Sequence, residues 1–131
     1  MMNTTIRIGK TEISRIGYGT LYLPVERGFG PARSNAVDLL KEARNLGIQF
    51  FDTADSYGNG SAEKAIREAL NPYDNIVIAS KGGFRHERLG SWVSDARPDR
   101  LRSCLEGSLR RLGLESIDLY QLHCPDNRVP Y

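Results

Sequence analysis

The chain has few cysteines, no long apolar run, no surplus of charge of one sign and no low-complexity segment, and each absence excludes something. Two cysteines, Cys104 and Cys124, are too few for a disulfide framework and lack metal-ligand spacing, so reduced thiols and no metal site are expected. No segment approaches the ~20 apolar residues of a membrane-spanning helix. The start, Met1-Met-Asn-Thr-Thr-Ile-Arg7, has neither the apolar core nor the cleavage site of a secretory leader. A cytoplasmic protein is therefore expected. Eighteen basic residues against sixteen acidic leave a formal charge of +2, too slight and dispersed to argue for nucleic acid or an anionic membrane as partner. No G-x-G-x-x-G joins the first strand to its helix, which counts against an open nucleotide-binding α/β domain. What remains is an ordinary globular composition, and 131 residues suffice for one modest core.

The most informative stretch is Ile48-Gln-Phe-Phe-Asp-Thr-Ala-Asp-Ser-Tyr-Gly-Asn-Gly-Ser-Ala-Glu63, where an apolar run stops at polar groups and a helix begins. Ile48, Phe50 and Phe51 read as a strand, with Asp52 just past its carboxyl end. Tyr57 follows in a glycine-punctuated loop. Ser61 then opens a helix with Ala62, Ala65, Ile66 and Ala69 on one side, stopped by Asn71-Pro72. In parallel α/β proteins, ligands and catalytic groups gather at the carboxyl ends of the strands.

Around this stretch the pattern repeats. Thr5–Ile8 and Thr11–Ser14 flank Gly9-Lys10, whose leading glycine suits a type II′ hairpin turn. Ile16 to Leu21 predicts a first central strand in which two glycines permit close approach of a ligand or backbone. Tyr22 to Ala32, with Pro24, Gly28, Gly30 and Pro31, reads as a loop. Ser34 to Leu46 predicts an amphipathic helix burying Ala36, Leu39, Leu40, Ala43 and Leu46, ended by Gly47. Asn75 to Lys81 is a continuous apolar run ending at a charge, as expected of a strand covered on both faces. Gly82 to Arg97, with His86 and the only tryptophan, Trp92, reads as a long polar loop of functional type. Pro98 suits the first turn of a helix that buries Leu101, Cys104, Leu105, Leu109 and Leu112 before Gly113 ends it. Ile117 to His123 is a fourth central strand, and Cys124 to Tyr131 another loop. Strand, loop and helix recurring in this way imply parallel strands joined by right-handed crossovers.

Taken singly, the polar residues have plain structural explanations: an Asx-type turn at Asp52, loop cover at Tyr57, a solvated strand end at Lys81, a hydrogen-bonded core histidine at His123 and a hydrophobic plug at Trp92. Taken together, Asp52, Lys81 and His123 end successive parallel strands, and Tyr57 leaves the same rim. A phenol parts with its proton reluctantly near neutrality, and an adjacent ammonium stabilises the anion left behind. Lys81 is placed to supply that charge, Asp52 to hold the lysine, and His123 to position a polarised oxygen or share the proton. The set makes a proton donor, with no activated nucleophile.

These residues resemble the N-terminal half of an aldo-keto reductase. The matching pieces are the hairpin, Ile16-Gly-Tyr-Gly-Thr20, Gly47-Ile-Gln-Phe-Phe-Asp-Thr-Ala-Asp-Ser-Tyr-Gly58 with Glu63, Ser80-Lys81-Gly82, Gly107-Ser-Leu-Arg-Arg-Leu-Gly113 and Asp118-Leu-Tyr-Gln-Leu-His123, which span essentially the whole chain. The resemblance implies an α/β fold, half of a (β/α)8 TIM barrel with an N-terminal hairpin and four parallel central strands. It implies a catalytic tetrad of Asp52, Tyr57, Lys81 and His123, with Tyr57 the general acid in NADPH-dependent reduction of an aldehyde or ketone; NADH is not excluded. Gly19, Thr20, Asp52, Lys81 and His123 would lie at the cofactor, and Trp92 at the substrate entrance.

A complete barrel has eight strands and typically ~250 residues, and its phosphate site usually forms after the seventh and eighth strands. Residues 1–131 are accordingly expected to be a partial domain that holds the proton chemistry without the full grip on the cofactor. Its outer strands would be unpaired edges, so the expected partners include a second copy or a complementary half-barrel. The alternative function is that of a catalytically silent half-barrel acting through such pairing.

Overall fold

The computed structural model describes residues 4–23, 33–86 and 91–130. Strands β1 (Thr5–Ile8) and β2 (Thr11–Ser14) form the expected antiparallel hairpin, with Gly9 at φ 58° in the turn. Three central strands follow in chain order: β3 (Gly17–Gly19), β4 (Phe50–Asp52) and β5 (Val77–Gly82). Helix α1 (Arg33–Asn45) lies between β3 and β4, and α2 (Ser61–Leu70) between β4 and β5. A second hairpin, β6 (Phe84–His86) with β7 (Trp92–Ser94), precedes α3 (Pro98–Leu112) and the last strand, β8 (Leu119–Leu122). The central sheet runs β3-β4-β5-β8, parallel at every pairing. The fold is thus α/β, in the arrangement of half of a (β/α)8 barrel. Among the described residues, no helix is long and apolar enough to cross a membrane.

One core joins sheet and helices. Phe51 and Ile78 point from β4 and β5 into Leu40 of α1, Ile66 and Leu70 of α2 and Leu112 of α3, all 1% exposed or less. Apolar residues at three- and four-residue spacing produce this by giving each helix one stripe to bury. The stripe of α1 is Ala36, Val37, Leu40 and Ala43, whereas Leu39 and Leu46, expected inside, are exposed. Leu39 falls on the flank of the stripe, and Leu46 lies past the helix end, where the chain turns through Gly47 at φ 90°.

Three further expectations shift. Asp52 is the last residue of β4 and not the first beyond it, because the ladder continues through it to Gly19 and Ala79. β5 likewise runs one residue past Lys81, with Gly82 opposite Leu122. A side chain at Gly82 would collide with the Tyr120 hydroxyl and the Cβ of Cys104, so the close approach of β8 and α3 requires glycine there. The stretch expected to be one irregular loop, Gly82 to Arg97, contains the β6–β7 hairpin, in which Phe84, Arg85 and His86 face Ser94, Val93 and Trp92. Short polar-flanked strands of three residues carry too little periodicity to be distinguished from a loop. Residues 1–3, 24–32, 87–90 and 131, which include most of the first expected loop and part of the second, lie outside the described residues.

The tail after β8 is tied back to this hairpin. Asp126, 3% exposed, accepts from the Ala96 N–H at 3.2 Å and pairs with Arg128 at 2.8 Å, and Arg128 donates to the Ser94 carbonyl at 2.5 Å. Asp95, 6% exposed, is gripped by Arg97 through two hydrogen bonds of 2.8 and 3.0 Å. These guanidinium bonds hold both carboxyls well below the usual carboxylate range. The clasp fixes where the second hairpin sits over the sheet rim.

Candidate active site

Asp52 and Lys81 lie on the neighbouring parallel strands β4 and β5, and His123, expected to end the fourth strand, follows directly on β8, so their side chains meet at one rim. Lys81 Nζ is the centre of the group. It donates to Asp52 Oδ2 at 2.6 Å and to the Thr53 carbonyl at 2.9 Å, and lies 3.4 Å from the Tyr57 hydroxyl. The ammonium is mostly buried and Asp52 about one-third exposed, so the pair sits partly dry at the edge of solvent.

Tyr57 is delivered by a tightly determined turn. The Asp55 N–H donates to the Lys81 carbonyl at 3.1 Å, and the Tyr57 N–H to the Ala54 carbonyl at 3.2 Å. Gly58 and Asn59, at φ 57° and 54°, then carry the chain through a left-handed kink into α2. This kink is why glycine and asparagine follow the tyrosine.

His123 is fixed by its backbone, whose N–H donates to the Gly82 carbonyl at 2.9 Å. Its ring is enclosed edge-on by Tyr57, with centroids 5.6 Å apart, and by Phe84 at 4.7 Å. Burial, then the charge of Lys81, pushes its proton affinity below the ordinary histidine value, against a smaller opposing pull from Asp52. His123 is therefore a neutral imidazole at pH 7. Its Nδ1 lies 3.4 Å from the hydroxyl of Ser56, a residue only 4% exposed.

The remaining sequence candidates lie around this group. Gly19 is exposed beside Asp52, and among the described residues a Cβ there would meet nothing within 4 Å. Thr20 is fully buried, and its hydroxyl is spent on the Asp52 carbonyl at 3.0 Å. It holds the β3 end against β4 and presents no polar atom outward. Trp92, 44% exposed, packs edge-to-face on Phe84 at 5.6 Å, and Phe84 in turn packs on His123. Cys124 is half-buried beside His123, and both cysteines are free thiols.

Reading the sequence residue by residue assigned no role to Phe84, Ser56 or the Thr53 carbonyl. Phe84 had a signal, as the aromatic directly after Ser80-Lys-Gly-Gly83; a backbone carbonyl has none. Asp52, Tyr57, Lys81 and His123 thus stand together at one rim of the sheet. Together these groups can donate a proton to a carbonyl oxygen and hold the resulting phenolate.

Comparison with known proteins identifies the family. Residues 15–131 match the family model described as aldo/keto reductase family. The pyridoxine 4-dehydrogenase of Escherichia coli is 37% identical over 125 residues, which cover 93% of this chain and 44% of that enzyme. A solved glycerol dehydrogenase from Gluconobacter oxydans superposes with a TM-score of 0.87 at 37% identity, covering 99% of this chain and 42% of that one. An aldo-keto reductase from Klebsiella pneumoniae, solved in complex with NADPH, superposes at 0.72 with 27% identity, covering 97% of this chain and 41% of that one. The chain thus spans less than half the length of the relatives it matches. Since the matched region takes in β3 through β8 and every residue of the rim cluster, the chain belongs to the aldo/keto reductase family.

Proposed function

We propose that this chain carries the proton-transfer half of a nicotinamide-dependent carbonyl reductase site, with residues 1–131 forming part of a barrel domain. The observation that carries the proposal is the position of Lys81 Nζ, 2.6 Å from Asp52 and 3.4 Å from the Tyr57 hydroxyl. Tyr57 gives its hydroxyl proton to the carbonyl oxygen of an aldehyde or ketone. The phenolate that remains is stabilised by Lys81, whose other donors are occupied by Asp52 and the Thr53 carbonyl and keep it in place. Neutral His123 supplies a hydrogen-bond partner for the same oxygen. A dihydronicotinamide, when bound, would supply the hydride needed at the carbonyl carbon. Gly19, Asp52, Lys81 and His123 would line its nicotinamide ribose end, and Trp92 with Phe84 would border the substrate. NADPH is the proposed cofactor, supported by the NADPH complex of the Klebsiella relative; NADH is the alternative. Two free cysteines suit a reducing, cytoplasmic setting.

The test is nicotinamide consumption by the purified protein with an aromatic aldehyde, with NADPH and NADH in parallel. Aldehyde-dependent consumption that falls roughly 10²- to 10⁴-fold in Tyr57→Phe is expected. An unchanged rate in that variant would remove Tyr57 as the acid.

A second reading has its own observation. Among the described residues, β3 and β8 each have one neighbour in the sheet, and Leu122 of β8 is 41% exposed. Exposed strand edges invite pairing with another chain. In this reading the chain acts through self-association or a complementary half-barrel, and sedimentation of a strictly monomeric species would dismiss it.

A further inference from the structure

We propose that Ser56 is a positioning residue, donating its hydroxyl hydrogen to Nδ1 of His123 and so holding the imidazole in the tautomer that carries its proton on Nε2. The inference rests on the reading of His123 as a hydrogen-bond donor to the carbonyl oxygen.

A neutral imidazole has one N–H and one bare nitrogen, and the partner of one nitrogen decides the role of the other. Nδ1 faces the Ser56 hydroxyl at 3.4 Å. A hydroxyl accommodates either tautomer, so the surroundings decide. Burial and the Lys81 charge keep the ring neutral, which leaves a single proton to place. A group that polarises a carbonyl oxygen must present that proton to it. Nδ1 is then bare, and the group available to bond it must donate, as the serine hydroxyl does.

The setting is rigid enough for the choice to matter. Ser56 is 4% exposed, and its backbone is held by the turn that carries Tyr57, with its carbonyl accepting from the Asn59 N–H at 3.2 Å. The His123 ring is boxed by Phe84 and Tyr57. One short segment thereby sets two groups of the site: Tyr57 directly and His123 through its neighbour Ser56. The contact is long for a hydrogen bond, and such contacts commonly shorten once substrate closes the site.

The experiment is imidazole ¹⁵N NMR on the purified protein and on Ser56→Ala. The chain has two histidines, so a His86→Gln variant assigns the His123 signals. In the wild-type protein His123 should show a protonated Nε2 and a bare Nδ1. In Ser56→Ala the two shifts should move toward each other as the tautomers mix, and kcat should fall roughly 3- to 10-fold with little change in KM for the cofactor. Ser56→Thr, which restores a hydroxyl, should recover the wild-type pattern. A wild-type His123 protonated on Nδ1 overturns the proposal, whether or not any variant folds. So do ¹⁵N shifts unmoved by the loss of the hydroxyl. A tautomer that depends on Ser56 in a protein without carbonyl-dependent turnover would leave this pairing standing and remove the proposed reaction instead.

Discussion

Two carboxylate–cation pairs flank β5, one behind it and one at its end, and they are built to opposite specifications. Behind the strand, Glu63 is fully buried, and both its oxygens are taken: Oε2 by Arg111 Nε at 2.5 Å and Oε1 by the Ser80 hydroxyl at 2.7 Å. At the rim, Lys81 is satisfied by Asp52 and the Thr53 carbonyl yet keeps a third, looser contact to Tyr57 at 3.4 Å. Adjacent residues, Ser80 and Lys81, serve the two pairs from opposite faces of one strand. A pair with both carboxylate oxygens bonded locks α2, α3 and β5 together. A pair with one loose bond to a phenol can accommodate a change of charge there.

The sharpest way to break the comparison is to remove Glu63. Glu63→Ala takes the acceptor from Arg111 Nε and from the buried Ser80 hydroxyl, and should cost about 3–5 kcal/mol in urea unfolding. Glu63→Gln should cost less, since the Ser80 hydrogen bond survives. Any folded fraction should retain its turnover number. Lys81→Met should do the reverse. Because Asp52 is about one-third exposed, water can replace its partner, and stability should change by no more than about 1 kcal/mol. Turnover should drop about 10²- to 10³-fold with the loss of one charge-stabilising donor. If the two variants fell together in both measurements, the division between a structural and a chemical pair would fail.

The same division describes what the sequence discloses. Three rim residues were legible because each stands at the end of a strand pattern, so Asp52, Lys81 and His123 could be placed by counting strands. The helices were legible from spacing and from punctuation by Pro98, Gly113 and Asn71-Pro72. Glu63 was seen only as part of a motif, because nothing in a helix pattern says that a glutamate meets an arginine 48 residues later. The β6–β7 hairpin was missed for the same reason. What holds it is not periodicity but the Asp95–Arg97 and Asp126–Arg128 clasp, and in sequence these read as ordinary surface charge.

A smaller effect tests whether β5 must carry glycine between the two pairs and the hairpin. Gly82→Ala places a methyl against Cys104 and the Tyr120 hydroxyl, and should destabilise by about 1–3 kcal/mol. Because the displaced strand end also carries Lys81, turnover should fall with it, unlike in Glu63→Ala.

The smallest effect separates the rim by pH. The folded protein holds His123 below its ordinary value of 6.5, so the unfolded chain takes up a proton there that the folded chain refuses. From pH 6.5 down to the folded value the unfolded state binds more protons, and the contribution of His123 to stability declines as pH falls through that window. Asp55, raised above its ordinary value by burial, runs the other way: the folded state holds its proton longer, and stability is lost as pH rises through its folded value. The two slopes oppose each other, so total stability is a poor readout. The difference in unfolding free energy between the wild-type protein and His123→Gln cancels the Asp55 contribution, since that residue is common to both. That difference should be flat above about pH 7 and shift against the wild-type protein on acidification. A flat difference down to pH 5 would mean that His123 titrates normally and that the rim is wetter than its packing between Tyr57 and Phe84 implies.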